Sequence, residues 1–276
     1  MVWSEAHDLA MRHGDEAAVL AGGTAFTLLF RQGLIRPRHV IALRRIAGAS
    51  RIDVDAHGGV SIGTTASHAA VERSAAVRGA WPELADAIAK VATVRVRNQA
   101  TLGGSVAHAD PASDAPVMLA ALAAQVVVLG ADGERHRMPV EELIVDTFTT
   151  SLASTELIQS IEVPGRAPET RAVYLKYTLR SVDDYATVSV GARADLAGGT
   201  FGDLRIFLGG VGSRPMRATS VEAALRGQAV DPRRFAEAAA MARADVDPIA
   251  DVRGSASYKR EMARVWTERA LRALGA

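Results

Sequence analysis

Two glycine-paired segments are the part of this chain best suited to hold an anionic ligand. The first is Ala21-Gly22-Gly23-Thr24, and the second is Thr101-Leu102-Gly103-Gly104-Ser105. Each follows an apolar stretch, and glycine lets a backbone turn tightly and approach a phosphate closely. The two segments could close on a diphosphate from two sides, although either one alone is also typical of an ordinary turn.

Polar side chains follow the second glycine segment. Ser105, His108, Asp110 and Asp114 crowd into an otherwise alanine-rich region, which favours a binding role over a purely structural loop. Neither the Gly-x-Gly-x-x-Gly fingerprint nor the lysine-bearing phosphate loop is present. Histidines and carboxylates nowhere fall at tight ligand spacing, so we expect no metal site in this chain.

Asp114 has two interpretations from the residues alone. Its carboxylate could accept hydrogen bonds from ligand hydroxyl groups. However, Asp114-Ala115-Pro116 is also a good helix start, with an aspartate cap and a proline just inside the helix. One carboxylate oxygen cannot fill both roles.

Composition excludes several classes of protein. The 276 residues are 49% hydrophobic, which is enough for a substantial core, and the formal charge of +1 with scattered arginines argues against nucleic-acid binding. Cysteine is absent, so the chain cannot ligate an iron–sulfur cluster through thiolates. No apolar run is long enough for a membrane span and no signal pattern is present, so we expect a cytoplasmic protein.

The elements around these segments predict an α+β fold. A short strand over 17–21 leads into the first glycine pair, and a helix begins at Thr24. Strands are predicted over 125–129 and 157–163, and then over 172–179, 187–194 and 204–209, before the final helices. We therefore predict lobes over residues 1–60 and 61–168, followed by a C-terminal domain over 169–276 with an antiparallel sheet.

Four segments resemble the FAD-binding medium subunit of the molybdenum hydroxylases, the group that contains carbon monoxide dehydrogenase and xanthine-dehydrogenase-like enzymes. They are Val19 to Phe26, Arg97 to Asp114, Glu156 to Pro164 and Gly209 to Pro215. The resemblance implies a two-lobed FAD-binding domain of the vanillyl-alcohol oxidase and p-cresol methylhydroxylase type. It also implies that FAD lies between the lobes and that a small C-terminal α+β domain follows.

The resemblance also implies which residues bind FAD. Both glycine segments would hold the pyrophosphate, Asp114 would contact the flavin, and Ile158 and Lys176 would lie in the adenine and flavin regions. The pyrophosphate residues are Val19, Leu20, Ala21, Gly22, Gly23, Thr24, Ala25, Phe26, Thr101, Leu102, Gly103, Gly104 and Ser105.

Four further side chains have open roles. Strand alternation favours an outward-facing Lys176, whereas a lysine near flavin N1–C2=O would stabilise negative charge there. Tyr185 matches a family position near the isoalloxazine ring and could stack on it, but it could equally pack on the sheet. His108 and Asp110 flank one turn, and we expect a structural or flavin-positioning role for His108.

The resemblance implies an electron-transfer flavoprotein subunit. Substrate would be oxidised at a molybdenum cofactor on a large partner subunit, and electrons would reach this FAD through iron–sulfur clusters on a small one. Such subunits usually assemble as a dimer of heterotrimers. The first glycine segment has no histidine to tether a flavin, so FAD should be non-covalent. A free-standing FAD oxidoreductase of the same fold, or a scaffold that has lost its flavin, is the alternative.

Overall fold

Four sheets and the helices packed on them make up the chain, of which the computed structural model describes residues 1–276. The strands are β1 (Ala17–Leu20), β2 (His39–Ala42), β3 (Ile52–Val54), β4 (Val60–Gly63), β5 (Gln125–Leu129), β6 (Arg135–Pro139), β7 (Ile144–Asp146), β8 (Thr149–Thr150), β9 (Leu157–Val163), β10 (Thr170–Tyr177), β11 (Val188–Asp195), β12 (Leu204–Gly209) and β13 (Met216–Arg217).

The helices lie mainly between and outside the larger sheets. The α-helices are α1 (Trp3–His13), α2 (Thr24–Arg31), α3 (His68–Arg73), α4 (Ala75–Ala80), α5 (Pro82–Ala89), α6 (Val94–Gln99), α7 (Leu102–His108), α8 (Asp114–Ala121), α9 (Val140–Leu143), α10 (Thr219–Leu225), α11 (Phe235–Ala240) and α12 (Ala256–Gly275). Short 3-10 helices cover Gly14–Glu16, Leu43–Arg45, Ala197–Gly199, Pro232–Arg234 and Met241–Arg243.

The N-terminal part is a small unit seated on the end of a larger sheet. Strands β1 and β2 pair in parallel, and the β1–β2 unit buries Ala6, Ala10 and Ile41 against Leu129 and Leu157. These two leucines lie at the ends of β5 and β9. The first glycine segment, which follows β1 directly, is thereby held against the rest of the molecule.

The central sheet is antiparallel throughout and has the strand order β3-β4-β9-β5-β6. Helices α3, α5, α7 and α8 contribute to the core on this sheet. Every residue of α8 is buried, as expected for a helix in the interior, where no face meets water. Helix α8 also packs on β11 and β12 of the C-terminal sheet, so it joins the two sheets.

The C-terminal sheet is antiparallel in the order β10-β11-β12-β13. Side chains alternate along β12, since Leu204, Ile206 and Leu208 face the core formed with the C-terminal helices whereas Phe207 faces the core that contains α8. This period of two is what a strand covered on both faces requires. The predicted α+β class with antiparallel sheets is confirmed.

One local expectation is wrong. The second glycine segment is not a loop, because Thr101 caps α7 and its Oγ1 accepts a hydrogen bond from Gly104 N at 3.1 Å. The boundary predicted at residue 60 coincides with the first residue of β4, which pairs with β3 and β9 in the central sheet, and the division into lobes stays a prediction. None of the helices combines the length and apolar character that a bilayer crossing requires.

Candidate functional site

A cleft of about 730 Å³ brings the two glycine segments together. It lies between the β1–α2 connection, the start of α7 and the connection that follows β10. Every residue predicted for the site lines it except Leu102. The predicted residues on its walls are Val19, Leu20, Ala21, Gly22, Gly23, Thr24, Ala25, Phe26, Thr101, Gly103, Gly104, Ser105, His108, Asp110, Asp114, Ile158, Lys176 and Tyr185.

Leu102 is the exception because it begins α7 with its side chain turned into the core. The residue is fully buried among the apolar side chains on the central sheet. Its N–H donates to Ala66 O at 3.0 Å. Leu102 therefore offers neither a side chain nor a free amide to a ligand in the cleft, and its assignment to the site is wrong.

The first glycine segment presents a row of unpaired backbone donors. The first hydrogen bond of α2 runs from Thr27 N to Gly23 O at 2.9 Å, and the N–H groups from Gly22 to Phe26 have no partner within the chain. Gly23 has a φ of +79°, which turns the chain into the helix. Consecutive free amides at a helix N-terminus form a concave site for an anion.

The backbone N–H groups of the second glycine segment are bonded within the protein, whereas the sequence predicted that they would be available to a phosphate. Gly103 N donates to Thr64 O at 3.1 Å, and Ser105 N donates to Thr101 O at 3.0 Å. The amide of Gly104 is taken up by the Thr101 cap. Backbone donation from this segment to a phosphate is therefore wrong, and the hydroxyl groups of Thr101 and Ser105 are the donors that remain.

Glycine is needed at Gly22 and Gly103 for packing within the protein. A Cβ at Gly103 would overlap the side chain of Thr64. One at Gly22 would overlap Gln99 O and would lie 2.9 Å from Ala100 Cα. Because Gln99 and Ala100 directly precede the second glycine segment, the absence of a side chain at Gly22 is what lets the two segments meet.

Asp114 forms a buried ion pair. Lys176 Nζ donates to Asp114 Oδ2 at 2.9 Å and to Lys90 O at 2.7 Å, and the Tyr174 hydroxyl donates to Asp114 Oδ1. Ser113 occupies the N-cap position of α8 instead. The capping role for Asp114 is therefore wrong. The outward-facing Lys176 is also wrong, since its side chain is 2% exposed.

Burial governs the electrostatics of this cluster. Desolvation raises the pKa of Asp114, against the opposing effect of the Lys176 charge. Burial also raises the pKa of Tyr174 well above its ordinary value, and the Asp114 charge adds to that rise. Tyr174 therefore keeps its phenolic hydrogen at neutral pH and donates it to Asp114.

His108, Asp110 and Tyr185 lie at another wall of the cleft. Asp110 Oδ1 accepts from Ala112 N at 2.9 Å, which closes the turn between α7 and α8. The His108 ring lies 5.0 Å from the Phe148 ring. Tyr185 belongs to the connection between β10 and β11, where the Arg253 guanidinium lies 5.4 Å from its ring centre. The Tyr185 side chain is 52% exposed, so the expectation that it packs on the sheet is wrong.

Several residues that the sequence did not single out also line the cleft. They are brought there by the fold from segments without a local motif, and they include Thr64, His68, Val91, Leu152, Asp183 and Asp184. His68 is the most unusual of them, because it is fully buried and its Nε2 lies 2.7 Å from Ser105 Oγ.

Comparison with known protein families identifies the family of this chain. A family model described as the FAD binding domain in molybdopterin dehydrogenase matches residues 3–166. A second, described as the CO dehydrogenase flavoprotein C-terminal domain, matches residues 173–274. The chain belongs to the FAD-binding medium subunits of the molybdenum hydroxylases. It is thus an oxidoreductase subunit with an FAD-binding domain.

Relatives of this medium-subunit family match along nearly the whole chain. The carbon monoxide dehydrogenase medium chain of Hydrogenophaga pseudoflava is 32% identical, over 98% of this chain and 93% of the relative. The glyceraldehyde dehydrogenase medium chain of Sulfolobus acidocaldarius is 30% identical, over 94% and 90%. A structure of carbon monoxide dehydrogenase from Hydrogenophaga pseudoflava superposes with a TM-score of 0.94 at 33% identity, covering 99% of this chain and 94% of that one.

His68 makes the stability of this medium subunit depend on pH. Burial, reinforced by the Arg97 guanidinium, lowers the pKa of His68 from 6.5 to about 4. As the pH falls, His68 therefore takes up a proton in the unfolded chain at a higher pH than in the folded chain. The contribution of the buried neutral ring to the free energy of unfolding is fully present above the unfolded-state pKa, and it is lost as the pH falls toward the folded-state pKa. Between about pH 7 and about pH 5, we expect the free energy of unfolding to fall by about 2 kcal/mol more in the wild type than in His68→Gln. Urea titrations of both proteins at the two pH values measure the difference, and parallel losses would contradict it.

Proposed function

We propose that this chain holds FAD non-covalently in the cleft and serves as the electron-transfer subunit of a molybdenum hydroxylase. Substrate is oxidised at a molybdenum cofactor on a large partner subunit, and iron–sulfur clusters on a small partner subunit deliver the electrons. The chain passes them to an external acceptor. The observation that carries the proposal is the row of free amides from Gly22 to Phe26, which faces hydroxyl donors across one cleft.

The donors of the cleft fit a diphosphate. Its two negative charges need several N–H or O–H groups, which the α2 N-terminus and the hydroxyls of Thr24, Thr101 and Ser105 can supply without a lysine. Ile158 lines the same cleft and is the proposed contact for the adenine. The two-lobed domain type and the division at residues 60 and 168 belong to the same proposal, with FAD between the lobes.

The ion pair at the cleft wall suits the flavin end of the cofactor. When bound, FAD supplies the capacity to store electrons and to release them singly or in pairs. Lys176 uses two of its three N–H groups within the chain, so one donor and a fixed positive charge remain for the cleft. Asp114 and Lys90 O hold that lysine in place, and Tyr174 holds Asp114. Tyr185, at the same wall, is the proposed stacking partner of the ring.

The partners follow from what the chain lacks and from its relatives. Without cysteine, it has no thiolates with which to hold an iron–sulfur cluster. Its relatives are named as the medium chains of carbon monoxide dehydrogenase and the medium subunit of nicotine 6-hydroxylase. We therefore place the clusters and the molybdenum cofactor on two partner subunits, and we expect a dimer of such heterotrimers.

The visible absorption spectrum of the purified full chain tests the proposal. We expect flavin absorption that passes into the supernatant after acid precipitation, because no side chain of the first glycine segment tethers the cofactor. Flavin that stays in the pellet would contradict the non-covalent site. A colourless chain that also fails to take up added FAD would contradict the proposed function as a whole.

A further inference from the structure

His68 is a buried histidine placed directly behind a cleft-lining serine. It begins α3, and its backbone N–H donates to Ala100 O at 2.9 Å. Its ring is shielded from solvent, and Nε2 lies 2.7 Å from Ser105 Oγ. The other ring nitrogen, Nδ1, is buried without any hydrogen-bond partner.

The unpartnered Nδ1 decides which nitrogen carries the proton. At neutral pH the ring is uncharged, so only one of its nitrogens bears a hydrogen. A buried N–H without an acceptor is rarer and more costly than an acceptor without a donor. The hydrogen therefore belongs on Nε2, which donates it to Ser105 Oγ.

This direction leaves the Ser105 hydroxyl hydrogen free. Ser105 Oγ makes no other hydrogen bond within the chain, and Ser105 lines the cleft. The amides from Leu102 to Ser105 are all engaged inside the protein. On this side of the cleft the hydroxyl groups are thus the remaining donors, and the orientation of Ser105 matters for an anion.

We propose that His68 is a positioning residue that fixes the Ser105 hydroxyl as a donor to the diphosphate of FAD. The inference rests on the proposed function, since it requires FAD in this cleft. It adds a role for a side chain that does not itself need to touch the cofactor. His68 acts only through Ser105, so replacing His68 should not weaken FAD binding further once the Ser105 hydroxyl has been removed.

A double-mutant cycle on the apo form of the full chain measures that dependence. FAD is titrated into the wild type, His68→Phe, Ser105→Ala and the double variant. We expect each single variant to bind FAD about tenfold more weakly, as befits one hydrogen bond to a charged group. The double variant should be no weaker than Ser105→Ala. His68→Gln, which keeps an N–H near the same place, should bind within about twofold of the wild type.

Several results would overturn the inference. If His68→Phe weakens FAD binding by the same factor with and without Ser105, the ring has only a structural role. Wild-type affinity in His68→Phe would also overturn it. Should that variant not fold, nitrogen NMR of histidine-labelled wild type decides: a hydrogen on Nε2 supports the inference, and one on Nδ1 overturns it. A wild-type chain that binds no FAD would instead overturn the proposed function.

Discussion

Gly22→Ala is expected to weaken FAD binding by about 100-fold. The added Cβ would overlap Gln99 O and lie 2.9 Å from Ala100 Cα. Both are backbone atoms, so the N-terminal unit must move away from the segment that leads into α7. Overpacking of this kind costs up to about 3 kcal/mol, which corresponds to about 100-fold in affinity.

The loss falls on binding because the movement separates the two sets of donors. The free amides from Gly22 to Phe26 are carried by the N-terminal unit, whereas the hydroxyls of Thr101 and Ser105 belong to α7 and its cap. A diphosphate bridging them would lose one side. Titration of FAD into the apo full chain, followed by flavin fluorescence, measures the effect.

Gly79→Ala is the matched control. Gly79 lies in α4, and a Cβ there would meet no atom within 4 Å. The variant should bind FAD like the wild type, and the helix should gain slightly in stability. If Gly22→Ala also binds FAD normally while remaining folded, the cleft between the two glycine segments is not the diphosphate site.

Lys176→Met is expected to lower the free energy of unfolding by about 3 kcal/mol or more. The side chains of Lys176 and Asp114 are 2% and 5% exposed, with Nζ and Oδ2 2.9 Å apart. Removing one member leaves a buried carboxylate without its counter-charge, which costs far more than the pair contributes relative to apolar residues. Tyr174 can stabilise the remaining carboxylate only in part.

The double variant Lys176→Met/Asp114→Asn separates stability from binding. It removes both charges, and the amide oxygen introduced at position 114 can still accept a hydrogen bond from the Tyr174 hydroxyl. Most of the free energy of unfolding that is lost in Lys176→Met should therefore return. The FAD affinity of both Lys176→Met and the double variant should lie below that of the wild type, because the positive charge at the cleft wall is gone. Denaturant unfolding and FAD titration on the same samples measure both quantities.

An exposed ion pair supplies the control for this experiment. Arg38 and Glu16 are 3.0 Å apart but have exposed side chains, so Arg38→Met should leave the stability nearly unchanged. If Lys176→Met is as stable as Arg38→Met, Lys176 and Asp114 are not paired in solution. The account of the cleft wall would then fail.

The sequence by itself determined the first glycine segment and the strands β1, β5, β9, β10, β11 and β12, but it did not predict helix α7. Leu204, Ile206 and Leu208 on one face and Phe207 on the other specify a strand covered on both faces. Gly23 before Thr24 specifies a turn into a helix with free amides. These are local patterns, since periodicity and glycine conformations depend on neighbours along the chain. The four family-like segments led to the medium-subunit family for the same reason.

Only the tertiary structure decided what each polar group does. Asp114 resembles a helix cap, yet it faces Tyr174 and Lys176 on β10, far along the chain. The amide of Gly103 is taken by Thr64 O. His68 meets Ser105 because Ser67 pairs with Thr101 and His68 N donates to Ala100 O, which holds the start of α3 beside the start of α7. A hydrogen bond needs a partner at about 3 Å, and spacing along the chain cannot show which distant group will occupy that position. The fold determines the hydrogen-bond partner of each polar group, and these partners determine which donors remain for a ligand.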